Sequence, residues 1–325
     1  MSKIRVGVIY GGRSGEHEVS IRSAESIIAG LDPSRYHVTR YLIGKDGRWK
    51  PGPILPEPGR TDLDVVFPIL HGTFGEDGTV QGLLELADLP YAGAGVMASA
   101  ISMDKEMTKR VCRERGLPVV DYAVVTRGHL DAQAIAGRLP FPLFVKPANL
   151  GSSVGISKAH NQAGLAAALA LAAQYDRKVI VERGVEGREF ECSVIGNDHP
   201  AASVPCEIIP SREFYDYEDK YLLDKARVEM PARITPEQTA EMQRLAVSCY
   251  QAVECEGMAR VDFLMDGATG QMFVNEINTL PGFTSISMFP KMWEHSGIKF
   301  PALIEQLLAL AIERHQRKRE TRYTR

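Results

Sequence analysis

The chain has 325 residues, 44% hydrophobic and 24% charged, with a formal net charge of −3 at pH 7. That length points to two or three domains with sizeable cores, and the near-neutral balance gives no footing for nucleic acid or a membrane surface. No apolar run approaches the roughly 20 residues that a membrane span needs.

Residues 1–10, Met-Ser-Lys-Ile-Arg-Val-Gly-Val-Ile-Tyr, read as a strand and not as a signal peptide, because no apolar h-region follows the charges. The strand stops at Gly11-Gly12, and residues 18–29 carry helical periodicity. Residues 38–43 and 64–70 are again strand-like, and 78–86 helical. This alternation predicts a parallel sheet covered by helices, with ligands at the C-terminal strand ends. The glycine-rich segments 11–15 and 72–78 both lie at that edge.

A new unit starts near Asp104, with a helix over 104–114, a strand over 119–125 and a helix near 131–139. Pro140 and Pro142 bound the next strand, which ends Phe144-Val145-Lys146-Pro147. A glycine- and serine-rich turn (149–155) leads to another strand, then an alanine-rich helix (163–173) and a strand edge (178–182). From Glu189 the pattern changes. Strands over 189–195 and 204–209 precede a polar, aromatic stretch, 211–225, that has no clear period. Loops of that length in compact domains are usually lids or binding loops. Thr235 as N-cap and Pro236 at the first position open a long helix to 254. Strands over 259–265 and 271–277 are joined by the hairpin turn Asp-Gly-Ala-Thr-Gly. The basic residues Arg314, Arg317, Lys318, Arg319, Arg322 and Arg325 read as a solvated helix end with a tail. The five cysteines (112, 192, 206, 249 and 255) form no CxxC pair and read as reduced core residues of a cytoplasmic enzyme without structural zinc.

Four constellations carry chemistry. On the last hairpin, Arg260 and Asp262 share one strand face, and so do Glu276 and Asn278, because residues two apart point the same way. If both pairs face one cleft, two carboxylates and an amide oxygen converge, a hard donor set that suits magnesium bridging substrate phosphates. Val261, Phe263, Val274 and Ile277 mark the opposite face as buried. The pattern leaves open whether the polar face meets solvent or a cleft. Second, Lys146 precedes Gly151-Ser152-Ser153-Val154-Gly155, which is either a flexible turn or an anion cradle with a lysine beside it. It is not a Walker A motif. Lys105 sits at a helix start, where a cation is unusual and hints at an external partner. Third, residues 11–20 follow a strand and open a helix without the GxGxxG spacing of a dinucleotide fold. Glu16 there either satisfies the helix dipole or holds a substrate ammonium. Fourth, His71 opens a loop of glycines and acids, 71–82, after another strand; a functional loop is the better reading than a structural histidine.

Taken together, these segments resemble D-alanine–D-alanine ligases of the ATP-grasp superfamily. The resemblance is carried by Gly-Gly-Arg-Ser-Gly-Glu-His-Glu-Val-Ser (11–20), His-Gly-Thr-Phe-Gly-Glu-Asp-Gly-Thr-Val-Gln-Gly (71–82) and Met-Asp-Lys (103–105). It continues in Val-Lys-Pro-Ala-Asn-Leu-Gly-Ser-Ser-Val-Gly (145–155), Phe-Tyr-Asp-Tyr-Glu-Asp-Lys-Tyr (214–221), Ala-Arg-Val-Asp-Phe (259–263) and Asn-Glu-Ile-Asn-Thr-Leu-Pro-Gly-Phe-Thr (275–284). All seven occur in family order. Residues 148–150, Ala-Asn-Leu, vary in the family and receive no role.

The resemblance implies an α/β protein: an N-terminal parallel-sheet domain (1–103), then a two-subdomain ATP-grasp fold of α+β character (104–188 and 189–325) with a lid at 211–225. It places ATP between the last two units. Lys105 and Lys146 would contact ATP phosphates, Lys220 the γ-phosphate, Glu182 the adenine and Glu189 the ribose. Asp262, Glu276 and Asn278 would hold two magnesium ions, for which manganese can substitute. Glu16 would bind the ammonium of the first D-alanine, with His71 beside it, and Ser287 the carboxylate of the second. Arg260 and the backbone N–H of Gly282 would stabilise the oxyanion, while Ser152 and Tyr221 would orient substrates and lid together with Glu16. Family ligases that make D-lactate or D-serine ends depart from tyrosine in this loop, so Tyr221 favours D-alanine as acceptor. A cytoplasmic homodimer that makes cell-wall precursor in a bacterium completes the implied picture. The rivals are another ATP-grasp ligase, such as a D-alanine–D-lactate or biotin-carboxylase-like enzyme, and a non-catalytic nucleotide-binding regulator. Residues 11–20 are hard to explain in a biotin-carboxylase-like enzyme, and a regulator is expected to lack one of Arg260, Asp262, Glu276 or Asn278.

Overall fold

The computed structural model describes residues 2–209 and 227–322. The expected lid at 211–225, with Lys220 and Tyr221, lies outside the described residues. Three sheets follow one another along the chain.

The first is built from β1 (Ile4–Gly11), β2 (Tyr36–Ile43), β3 (Trp49–Lys50) and β4 (Val65–Pro68), in the order β3-β2-β1-β4. β1 pairs in parallel with β2 and β4, as the alternation predicts, while β3 is antiparallel to β2. The departure is local: Gly44 N–H donates to the Arg48 carbonyl and Gly47 N–H to the Gly44 carbonyl, a tight turn that can only fold the chain back. Helices α1 (His17–Gly30), α2 (Thr79–Leu86) and α3 (Val96–Met103) complete this unit.

The second sheet has the order β5-β8-β6-β7 and is antiparallel throughout. Its strands are β5 (Tyr122–Thr126), β6 (Leu143–Pro147), β7 (Ser157–Ala159) and β8 (Lys178–Arg183). Helices α5 (Ala132–Ala136) and α6 (Gln162–Tyr175) pack on it through Ile135, Leu165, Leu169 and Ala172. α4 (Lys105–Glu114) precedes this sheet in sequence but packs elsewhere. Its Cys112 shares a core with Val261, Val274 and Ile277 of the third sheet.

That third sheet runs β12-β11-β9-β13-β14, with β10 alongside β9. It comprises β9 (Gly187–Gly196), β10 (Ala201–Ala202), β11 (Cys206–Ile209), β12 (Arg227–Glu229), β13 (Gly257–Asp266) and β14 (Met272–Asn278). α7 (Pro236–Ala252) covers one face, opened by the expected Thr235 N-cap and a reciprocal hydrogen bond with Gln238. Gly257 stands at φ 76 with the Gly93 carbonyl where a Cβ would need to be, so only glycine fits there.

The chain ends return to the beginning. α8 (Met288–His295) and α9 (Phe300–Arg319) bury Phe289, Trp293, Leu303, Ile304 and Leu307 against Val6, Val65 and Phe67 of the first sheet. The basic end of α9 is not the freely solvated end that the sequence suggests. Arg314 donates to the Tyr91 and Gly93 carbonyls, Arg317 pairs with Asp198 and Glu256, and Lys318 pairs with Glu85. These partners lie on the first and third units, so α9 ties the two together. Phe283, fully buried, sits at the centre of this junction with rings of Phe67, Phe289 and Phe300 at 5.6, 5.3 and 6.3 Å. Phe283→Ala is expected to cost about 3–5 kcal/mol, read as a fall in the urea midpoint.

Candidate active site

The site grows from the register of the third sheet. Arg260 on β13 is paired with Ser193 on β9 and Asn278 on β14, and Asp262 with Glu191 and Glu276. Alternation therefore lines up Arg260, Asp262, Glu191, Glu276 and Asn278 on one face. Strict alternation would also turn Val274 toward that face. A bulge prevents it: Asp262 opposes Glu276 and Phe263 opposes Val274, leaving Asn275 as the extra residue. Val274 and Ile277 are both buried as a result, while Asn275 and Glu276 both reach the cleft.

Arg260 holds this face together. Its Nε and Nη2 donate to the two Asp262 oxygens at 2.7 Å each, and Nε lies 3.3 Å from Glu191. Asn278 Nδ2 donates to Asp262 at 3.0 Å. Two carboxylates thus flank one guanidinium. Burial, with Glu191 and Glu276, pushes the Asp262 carboxyl up to about 7 against the pull of Arg260. The face carries surplus negative charge and hard oxygen donors, a set that fits a divalent cation arriving with phosphates. Among the described residues no three histidine, cysteine or carboxylate side chains form a ready metal cage.

Across the cleft, β6 and β8 present lysine and carboxylate. Lys146 Nζ donates to Glu182 at 2.7 Å and lies 3.4 Å from Asn275 Oδ1. Burial alone would lower the Lys146 ammonium, but Glu182 holds it above its ordinary value. Burial would likewise raise Glu182, yet Lys109 and Lys146 draw it down to about 2. Lys105 donates to the Leu150 carbonyl at 2.5 Å and lies 3.9 Å from Glu276. Together with Glu189, Asp262 and Ser152, the residues Lys105, Lys146, Glu182, Asn275 and Glu276 line a cavity of about 490 Å³ between the second and third sheets. Ser152 and Ser153 hold the left-handed region, φ 52 and 59, within the turn at 149–155. Such strained residues concentrate at functional sites.

A second cavity of about 470 Å³ lies on the other side of the turn. It is lined by Glu16, His71, Arg260, Asn278, Gly282 and Ser287, together with Glu76. Glu16 occupies the N-cap of α1 without capping it; its carboxylate accepts from Ser152 Oγ instead. Gly282 passes so close to Ser287 that a Cβ would stand 2.7 Å from Oγ. Ser287 Oγ in turn accepts from Thr284 N–H at 2.9 Å. Both ring nitrogens of His71 are engaged, Nδ1 at 3.1 Å from the Leu280 carbonyl and Nε2 at 3.2 Å from Ser23 Oγ. Burial lowers its pKa, which keeps the ring neutral. Burial, and then Glu16, push Glu76 up to about 8 although Gly72 N–H donates to it at 2.6 Å.

The two cavities share Gly151, Ser152, Glu191 and Glu276. Every sequence-predicted site residue within the described range lines one cavity or the other. The sequence reading missed Glu191, Lys109 and Asn275. Glu191 had a signal, standing two residues from Glu189 on one strand, and Lys109 stands one helical turn from Lys105. The bulge at Asn275 had only a faint one, the spacing of three between Val274 and Ile277.

A family model for the D-ala D-ala ligase C-terminus matches residues 111–309, and one for the D-ala D-ala ligase N-terminus matches 5–59 and 54–94. A D-alanine–D-alanine ligase of Solibacter usitatus is 68% identical over 324 residues, covering 99% of this chain and 100% of its own. One from a Thermoanaerobacter species is 48% identical, with 98% and 99% covered. Among solved structures, the D-alanine–D-alanine ligase of Coxiella burnetii superposes with a TM-score of 0.88 at 37% identity, over 98% of this chain and 97% of that one. The VanG D-Ala:D-Ser ligase of Enterococcus faecalis superposes at 0.87 and 34% identity, over 95% and 100%.

A buried neutral histidine makes folding pH-dependent. His71 has a folded pKa below its ordinary value, so its contribution is full above about pH 6.5 and is lost as pH falls, when the unfolded chain takes up the proton first. In His71→Gln the stability lost as pH falls below about 6.5 is expected to be smaller than in the original chain, measured by denaturant midpoints at each pH.

Proposed function

The chain belongs to the D-alanine–D-alanine ligase family, and on that premise we propose that it joins two D-alanines with hydrolysis of ATP through a D-alanyl phosphate. The observation that carries this reading is the shared wall between the two cavities. One compartment suits a nucleotide, the other two small zwitterions, and they meet at Ser152, Glu191 and Glu276. A reaction that moves a phosphoryl group from one molecule to another needs its two substrates to meet at one point, and the shared residues mark where the compartments adjoin.

The chemistry explains the charges. A carboxylate is a poor acyl donor, so the first D-alanine carboxylate attacks the γ-phosphorus and ADP departs. Two anions must approach, and the ammonium groups of Lys105 and Lys146 offset their repulsion. In this reading Glu182 serves the adenine end and Glu189 the ribose. Magnesium, as two ions with manganese able to substitute, would be held by Asp262, Glu276 and Asn278 and supplies charge neutralisation of the transferring phosphoryl group. The surplus carboxylate around Arg260 supports that assignment.

Glu16, oriented by Ser152, takes the ammonium of the first D-alanine, with His71 beside it. Ser287 receives the carboxylate of the second. That molecule's ammonium loses a proton, its nitrogen attacks the acyl carbon, and phosphate leaves. The tetrahedral oxygen bears a full negative charge, which Arg260 and the Gly282 N–H stabilise in a water-poor site. The assignment of Lys220 and Tyr221 to a closing lid belongs to the same reading; both lie outside the described residues.

No described helix is long and apolar enough to cross a membrane. We place the reaction in the cytoplasm, where ATP is supplied, as a step toward cell-wall peptide. A homodimer fits the apolar side chains exposed on neighbouring helices, Leu86 of α2 with Val96 and Met97 of α3. Sedimentation equilibrium should return twice the 35.8 kDa chain mass, and Leu86→Lys with Met97→Lys should return the monomer.

Phosphate release from ATP should depend on D-alanine and yield the dipeptide. Faster release with D-lactate or D-serine as acceptor would overturn the D-alanine reading. Arg260→Lys keeps a charge but loses the two-pronged geometry, so kcat should fall by roughly 10²-fold or more. Near-normal turnover in that variant would remove Arg260 from the oxyanion role.

A further inference from the structure

Lys109 is a lysine that the mechanism above does not use. It is 1% exposed, belongs to α4, and does not line the nucleotide cavity. Its ammonium meets Glu182 Oε1 at 3.0 Å and the Asn275 carbonyl at 3.2 Å. Glu182 presents its other oxygen to Lys146 at 2.7 Å, and Lys146 faces Asn275 Oδ1 at 3.4 Å. The four groups close a ring. Two of its members, Lys146 and Glu182, sit on the second sheet, and Asn275 is the bulged residue of the third.

We infer that Lys109 is a positioning residue, which sets the approach of the two sheets around the nucleotide and aims the Lys146 ammonium at the phosphates. The inference rests on the ligase reading and deepens it. α4 is anchored in the core of the third sheet through Cys112, so Lys109 extends that sheet toward Glu182 on the second. A carboxylate held at both oxygens has one orientation. With only Lys146 as partner, Glu182 can turn, and Lys146 turns with it. Further contacts between the same elements support a fixed junction. Lys178 of β8 pairs with Asp104 and Glu106 at the start of α4, and Arg113 of α4 lies over the Tyr122 ring at 4.8 Å. Among these, only Lys109 reaches a residue that also holds a cavity-lining lysine.

The test uses Lys109→Gln, which retains a donor for the Asn275 carbonyl but removes the charge, and Lys109→Arg, which retains the charge. Binding of ADP with magnesium is measured by calorimetry without D-alanine, and KM for ATP and D-alanine by phosphate release. In Lys109→Gln the ADP Kd and the ATP KM are expected to rise at least about tenfold, with the KM for D-alanine within about twofold of the original. Lys109→Arg should recover most of the loss. Unchanged ADP affinity in a folded Lys109→Gln overturns the inference. So does an arginine variant no better than glutamine, which assigns the loss to packing. Failure of both variants to fold overturns it as well, because the residue then serves the core and not the site. ADP binding is read independently of ligation, so a wild-type chain that releases no phosphate with D-alanine would sink the ligase reading and leave this test standing.

Discussion

The one-residue bulge at Asn275 governs the geometry of both cavities. Side chains on a strand alternate with period two, and an inserted residue reverses every later face. Without the insertion, Val274 would share a face with Glu276 and Asn278, and either the core or the cleft would lose its composition. With it, Val274 and Ile277 seal the core beneath α4 and α7, while Asn275, Glu276 and Asn278 look outward. The bulged residue is also used directly, since its carbonyl and amide oxygen meet Lys109 and Lys146.

Charge organises what the bulge exposes. On the third sheet, Glu191 and Asp262 flank Arg260; across the cleft, Lys146 of the second sheet and Lys109 of α4 flank Glu182. Buried charges of this kind are costly to desolvate and are retained where each has an opposite charge beside it. The pairing here runs across elements: Lys109 of α4 on Glu182 of β8, and Arg260 of β13 on Glu191 of β9. The same contacts that satisfy the charges therefore fix the relative placement of the strands.

The second cavity depends on a different long-range closure. α8 and α9 return to the first sheet and carry the segment 279–287 against α1. Phe283 anchors that segment in aromatic packing, and its N–H reaches Ser23 Oγ at 3.3 Å. His71 completes the link from the opposite side, between Ser23 and the Leu280 carbonyl. Gly282 and Ser287 can line the same cavity as Glu16 only because these contacts hold the two ends of the chain together.

Much of this was legible in the sequence. Periodicity located three of the four strands of the first unit, α4, α6, α7 and the β13–β14 hairpin to within a few residues, because those patterns arise from which side of an element is buried. Seven ordered motifs identified the family and named residues that line both cavities. Other features were decided by tertiary structure. Ser152 meets Glu16 across 136 positions, and His71 meets Leu280 across 209. Glu182 lies between two lysines, the basic end of α9 is drawn into ion pairs, and β3 turns the edge of a parallel sheet antiparallel. The physical reason is range. A local pattern records whether a residue faces the core or solvent, over a window of one or two turns. Its partner is set by sheet register, a bulge and the packing of elements far apart in sequence, none of which leaves a periodic trace in the chain.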